Sequence, residues 1–183
     1  METVEAAAAL VVLADAEKKT KKKIDLERVT TQNMQTVRIL VQSIFPVSYS
    51  PKFYQECLEN ELTGVLMRRG EAIAIVSVKP EQFDLFGAVL YIRSLGVHLC
   101  YRENGIGSLL MDFVEEKCRS LNLATALLHV QTSNQRAIDF YEKRGFKKEC
   151  LVTKYYHRCD PPDAFVMTKC FWRSVTPITP FCQ

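Results

Sequence analysis

The chain has 183 residues, 48% of them hydrophobic and 25% charged, with only 7 Gly and 7 Pro. That is enough to build one ordinary domain core, and it is not the composition of a disordered or fibrous chain. A formal charge of +3 is too small for the broad basic face of a nucleic-acid binder, and the short lysine run Lys18 to Lys23 reads as a solvated hinge.

The seven cysteines are odd in number, form no CxxC pair and are scattered through apolar segments, which points to unpaired thiols in a reducing compartment. No stretch approaches the ~20 apolar residues of a membrane span. Ala6 to Ala14 has the length of a signal-peptide core, but Glu2 and Glu5 precede it where a basic segment belongs, so secretion is not expected. Residues 1–23 are taken as an Ala- and Lys-rich extension.

In chain order, Ile24 to Val29 alternates as a first strand, and Thr30 or Thr31 offers the N-cap for a helix through Met34, Val37, Leu40 and Val41. Pro46 stops that helix. Phe45 to Tyr49 is then an apolar loop, and Ser50-Pro51 caps a second helix with Phe53, Tyr54, Cys57 and Leu58 on its buried side. Strands are predicted at Gly64–Arg69 and Ala72–Val78 around a Gly70-Glu71 hairpin, followed by a loop over Lys79–Gly87. Ala88–Val97 is a central strand, with Val89, Tyr91, Arg93 and Leu95 expected on one face and Leu90, Ile92 and Ser94 on the other.

The period then changes. Ile106, Leu109, Leu110, Phe113, Val114, Cys118 and Leu121 recur at three and four, the stripe of an amphipathic helix. Ala124–Val130 is a strand, Ser133-Asn134 caps a helix through Ala137, Phe140 and Tyr141, and Gly145 ends it. Phe146–Lys154 and Ala164–Phe171 are the last strands, and residues 173–183 form a Thr/Pro tail.

The most informative stretch is Arg102-Glu103-Asn104-Gly105-Ile106-Gly107, set between a strong strand and a strong helix. Glycines there admit a ligand close to the backbone, and the helix start supplies amides and a dipole suited to phosphate. A GxG alone serves equally well as a tight turn. Here it is followed by His129-Val130-Gln131 and by Asn134, Ala137, Phe140-Tyr141 and Gly145-Phe146. Strand, R-x-x-G-x-G, helix, strand, N-x-x-A-x-x-F-Y-x-x-x-G-F resembles the acetyl-CoA-binding core of the GNAT N-acetyltransferase superfamily. Phe45 to Tyr49, Tyr91-Ile92, Leu128-His129-Val130, Tyr155-Tyr156 and Pro162-Asp163-Ala164 extend the resemblance to the NatE (San) family of protein N-terminal acetyltransferase catalytic subunits. It covers residues 24–172.

The resemblance implies a single α/β GNAT domain whose mostly antiparallel sheet is splayed between two parallel central strands, with helices on both faces. It implies acetyl transfer from acetyl-CoA, without a metal, to the α-amine of proteins that keep their initiator Met, followed by an apolar residue. Leu95, Gly96 and Val97 would hold the pantetheine arm. Arg102, Glu103, Asn104, Gly105, Ile106, Gly107 and Ser108 would wrap the pyrophosphate, with Asn134, Ala137, Tyr141 and Lys143 on the other side. Tyr141 has two other readings, as part of its helix's apolar stripe or as the acid for the leaving thiolate.

Tyr91 and His129 occupy the positions of the family's tyrosine and histidine that deprotonate the amine. A mild base suffices for an ammonium of pKa ~8, whereas a tyrosine near ~10 is better placed to orient water. Phe45, Pro46, Val47 and Tyr156 would form the methionine slot. Tyr49 and Tyr155 would hold peptide backbone, and His157, Arg158 and Cys159 would complete the peptide side. By itself, His157 reads as a surface residue.

Two residues depart from the family pattern: Cys159 stands where isoleucine is usual and Arg93 where methionine is usual. An unpaired guanidinium would be costly there, so Arg93 is expected to pair with an acid of this protein or of the substrate, unless its stem snorkels to solvent. Competing readings are a NatF-like N-terminal enzyme, a lysine ε-amine acetyltransferase, and a non-enzymatic subunit of a ribosome-associated NatA-type complex. Expected partners are substrate N-termini, NatA-type auxiliary and catalytic subunits and the ribosome, with no specific nucleic acid. A cytoplasmic location extending to the nucleus is expected.

Overall fold

A computed structural model describes residues 25–157 and 159–172; the extension 1–23, the tail 173–183 and Arg158 lie outside them. The elements are β1 (Glu27–Arg28), α1 (Met34–Ile44), α2 (Pro51–Glu59), β2 (Thr63–Arg68), β3 (Glu71–Phe83), β4 (Gly87–Val97), α3 (Ile106–Ser120), β5 (Thr125–Gln131), α4 (Gln135–Glu142), β6 (Lys147–Val152) and β7 (Ala164–Cys170). A short 3-10 turn, Leu99–Tyr101, leads from β4 toward α3. Among the described residues no helix is long and apolar enough to cross a membrane.

One seven-stranded sheet runs β1-β2-β3-β4-β5-β7-β6. Every neighbouring pair is antiparallel except β4 and β5. Side chains alternate across the pleat, so Val65 and Ile75 join α1 and α2 in one core through Val37, Leu40, Val41, Phe53 and Cys57. Leu66 and Val76 turn the other way and meet α3 and α4 through Leu110, Met111, Val114 and Ile138. The expected splayed sheet with helices on both faces is therefore present.

Local chemistry sets the element ends. Thr30 Oγ1 accepts from the Asn33 amide at 3.3 Å while Asn33 Oδ1 accepts from the Thr30 amide at 2.8 Å, a reciprocal cap at the start of α1. Ser50 Oγ accepts from the Phe53 amide ahead of Pro51, which opens α2. Gly145, at φ +85°, ends α4 with two backbone bonds, Phe146 N–H to Tyr141 O at 3.1 Å and Gly145 N–H to Glu142 O at 2.9 Å, the pairing of a Schellman cap.

Three expectations are corrected. The first strand shrinks to Glu27–Arg28. The loop expected over Lys79–Gly87 is mostly strand, because Lys79 to Phe83 pair with Tyr91 to Gly87. Pro80 is tolerated there since β2 pairs β3 only as far as Ser77, leaving the proline on an edge that needs no donor. The third correction is of phase. Opposite Ser77 and Val78 the register on β4 steps from Ser94 to Ile92, so Arg93 is the extra residue of a β-bulge. Tyr91 packs with Val89 and Leu127, whereas Leu95 and Val97, beyond the bulge, pack into the α3 and α4 core.

A Cβ at Gly107 would lie 2.6 Å from the Phe140 ring, so this glycine serves the contact between α3 and α4. Forcing the ring aside costs about 1–3 kcal/mol, against less than about 1 kcal/mol gained by removing a helical glycine. Gly107→Ala is thus expected to lower the urea midpoint of unfolding; an unchanged or higher midpoint would show that Phe140 moves freely.

Candidate active site

The parallel pairing of β4 with β5 is confined to Leu90 with Ala126 and Tyr91 with Leu127. Beyond those two rungs the strands part. Tyr91 is the last paired residue of β4 and His129 lies two residues further along β5, on the same face as Leu127. His129 Nδ1 and Tyr91 Oη are 3.2 Å apart, and Tyr91 Oη is 2.9 Å from Tyr155 Oη. The Tyr155 ring stacks on the imidazole at a centroid distance of 4.1 Å and an interplanar angle of 5°. Tyr156 Oη donates to the His129 carbonyl at 3.4 Å.

Burial governs ionisation here. It holds His129 below the ordinary imidazole value. It drives Tyr91 far above the phenol range, aided by the hydroxyl of Tyr155, and raises Tyr49 and Tyr156 as well. Near neutral pH the site therefore contains protonated tyrosine hydroxyls around an uncharged imidazole, a set of donors with one nitrogen base.

A groove of about 530 Å³ opens where the strands part. It is lined by Leu95, Gly96, Val97, Arg102, Glu103, Gly105, Ile106, Gly107 and Ser108 on one side and by Asn134, Ala137, Tyr141 and Lys143 on the other. Of the predicted cofactor residues only Asn104 is not in the wall; its amide donates to the carbonyls of Tyr101 and Arg102 at 3.3 and 3.0 Å and shapes the loop from outside. Gly105 is the N-cap of α3 at φ +76°, with no side-chain cap, and a Cβ there would meet nothing within 4 Å. Its backbone thus faces open space at the positive end of a 15-residue helix, which fits a phosphate. Arg102 Nε donates to the Val97 carbonyl at 3.0 Å, fastening the loop to the end of β4.

Other wall residues carried no signal in the sequence. Arg136 pairs with Glu103 at 2.9 Å. Arg144 donates to Ser108 Oγ and lies over the Phe140 ring at 3.9 Å, and Ile44 closes the groove from α1. Basic residues on an exposed helix face look like ordinary solvated charge until the fold brings them to the groove. Gly96 lines the groove, and a Cβ there would come 2.5 Å from Ile44 Cδ1 and 2.9 Å from Phe45 Cζ. Its small size also lets the end of α1 lie on β4.

On the peptide side, Phe45 and Pro46 border the groove and also a second cavity of about 450 Å³ behind the loop, which Val47, Tyr49, Arg38 and Tyr54 help to line. Val47 lines this second cavity and not the groove. Tyr49 Oη donates to the Arg93 carbonyl at 3.3 Å. Cys159 is half-buried and close enough to Tyr156 to weigh on its ionisation, while His157 is exposed. The guanidinium of Arg93 is bound by Glu56 and Ser77; the expected acidic partner belongs to the protein. The core thiol of Cys118 is pushed up to about 12 by burial, so it is no nucleophile at neutral pH.

The burial of His129 gives a direct check. NMR titration of its imidazole is expected to show a midpoint below ~6.5, with the ring neutral at pH 7 and protonating only on acidification. A midpoint above 6.5 would mean that a negative charge, and not desolvation, dominates the site.

The Acetyltransferase (GNAT) family matches residues 15–146. Zebrafish (Danio rerio) N-alpha-acetyltransferase 50 is 39% identical over 153 residues, covering 81% of this chain and 89% of its own. The probable N-acetyltransferase san of Drosophila melanogaster is 34% identical and covers 85% of each chain. The structure of Arabidopsis thaliana Naa50 in complex with the bisubstrate analogue CoA-Ac-MVNAL superposes with a TM-score of 0.71 at 33% identity, covering 80% of this chain and 97% of that one. With the splayed strands, the glycine loop and the groove all in place, the chain belongs to the GNAT acetyltransferase family and is an acetyl-CoA-dependent acetyltransferase.

Proposed function

We propose that this acetyltransferase acts on the α-amine of protein N-termini that begin with Met and an apolar residue, with Tyr91 and His129 as its catalytic residues. The observation that carries the reading is the hydrogen-bonded set His129, Tyr91 and Tyr155 at the parting of β4 and β5, beside the groove. Acetyl-CoA supplies the thioester. The groove loop and the α3 dipole would hold its phosphates, and the backbone of Leu95 to Val97 its arm.

The chain's own residues then manage protons. An incoming α-ammonium has a pKa of ~8 and must lose one proton before its nitrogen can attack. His129 is uncharged at that pH, so its imidazole nitrogen takes the proton, directly or through a water. Tyr91, held protonated, orients the amine or that water through its hydroxyl. Once the nitrogen has attacked, it sheds its second proton as the C–S bond breaks, and that proton balances the one the departing thiolate takes up. Tyr141 lines the groove and is likewise held protonated by burial, so its Oη can donate a hydrogen bond to the sulfur. No covalent bond to the enzyme is required.

For specificity, the relative with the bisubstrate analogue accommodates a peptide led by Met and Val. Phe45, Pro46, Val47 and Tyr156 would give this chain a comparable apolar slot, with Tyr49 and Tyr155 on the backbone and Cys159 making the slot roomier than isoleucine would. The proposal extends to NatA-type subunits and the ribosome as partners, and to a cytoplasmic and nuclear location.

Two tests follow from the proton relay. His129→Ala and Tyr91→Phe are each expected to lower kcat by about 10²-fold with little change in acetyl-CoA affinity, and the double variant to be less than additive. A folded single variant with full turnover removes that residue from the relay. A Met-Leu peptide carrying an internal lysine is expected to be acetylated when its terminus is free and inert when it is blocked; equal rates would assign the activity to the lysine.

A further inference from the structure

Arg93 is the bulged residue of β4, and its two ends are held by different elements. Its carbonyl accepts the Tyr49 hydroxyl at 3.3 Å. Its guanidinium runs under α2, where Nη1 binds Glu56, Nη2 donates to Ser77 Oγ at 2.8 Å, and the plane lies 4.9 Å from the centre of the Phe53 ring. Phe53 in turn packs on Tyr49 in a tilted pair with centroids 4.3 Å apart, and Tyr49 meets Phe45 edge-on at 5.6 Å. One residue of the sheet thus fastens the end of the Phe45–Tyr49 loop twice, once through its backbone and once through the helix that follows the loop.

The arrangement is a poor one for stability alone. The Arg93 side chain is only 13% exposed, and its Nε is buried with no partner among the described residues. Glu56 is 25% exposed and also faces Lys52 at 4.0 Å, and a largely buried ion pair with an unmet donor is commonly no more stable than an apolar pair of similar volume. What it adds is direction, since a planar fork on a carboxylate fixes geometry that an apolar contact leaves loose.

We propose that the Glu56–Arg93 pair is a positioning device that fixes the peptide-gripping loop over the amine site, and that Arg93 is not a ligand for the substrate's own side chains. The inference rests on the N-terminal peptide reading above. Because the guanidinium is bound by Glu56, an acidic second residue in the substrate gains nothing from it.

The test compares wild type with Arg93→Met, Glu56→Gln and the double variant E56L/R93M on Met-Leu, Met-Glu and Met-Lys peptides. Each single variant is expected to raise the KM for Met-Leu about tenfold, to leave the KM for acetyl-CoA within about twofold, and to leave the Met-Glu to Met-Lys preference unchanged. The double variant is expected to melt at or above the wild-type temperature while keeping the raised peptide KM. A double variant that recovers both would make the pair a stabilising contact only, and a preference that shifts with Arg93→Met would make Arg93 a substrate ligand; either result overturns the proposal. Hydrogen exchange of the amides of Phe45, Val47, Ser48 and Tyr49 reads the same device without turnover. It should quicken in Glu56→Gln, and unchanged exchange also overturns the proposal. A wild type that binds acetyl-CoA but acetylates none of the peptides defeats the function reading instead, and leaves the exchange result standing by itself.

Discussion

The molecule depends on an interruption. β4 and β5 share two rungs of parallel pairing and then part, and nearly everything functional follows from where that happens. A sheet that closed fully would have buried its backbone groups in a ladder and left no room between the strands. By parting just after Tyr91 and Leu127, the two strands open a groove on the α3 and α4 side. They also leave Tyr91 and His129 facing one another across the gap on the opposite side. The groove and the His129–Tyr91 pair are thus brought to one opening from two faces of the same sheet.

The bulge at Arg93 is the second half of that arrangement. Strict alternation would have put Tyr91 and Leu95 on one face, making the strand that presents the Tyr91 hydroxyl present bulk there as well. One inserted residue lets Tyr91 point to the Val89 and Leu127 face and Leu95 to the α3 and α4 core. The cost is a disrupted ladder and a charged side chain under α2. That charge is met by Glu56 and Ser77, so the irregularity also ties the loop to the sheet.

Much of this was legible in residues whose signals are local. The stripe of α3, the caps at Thr30, Ser50 and Asn134, and the glycine at 145 all act within a few positions of themselves. The cofactor loop was readable because phosphate binding needs backbone amides at a helix start, a short-range requirement with a short-range sequence pattern. His129 and Tyr91 were found only through the spacing of a family pattern, since a strand histidine between Leu128 and Val130 looks like core. The continuation of β3 past Pro80 was hidden, because a proline is admissible or not according to which neighbouring strand has already ended. The phase change at Arg93 depends on a register 16 residues away, and Gly96 and Gly107 owe their smallness to Ile44, Phe45 and Phe140, partners no window contains.

Phe45 and Pro46 border the groove on one side and the cavity behind the loop on the other, and the absent side chain of Gly96 lets that partition rest directly on β4. A wall shared by two chambers cannot move for one occupant without altering the space left to the other. The free energies of occupancy are then linked, and linkage of this kind is reciprocal: whatever an occupant of the groove does to binding in the second cavity, an occupant of that cavity does equally to binding in the groove. Two ligands on either side of a single thin partition would in this way report on each other without touching.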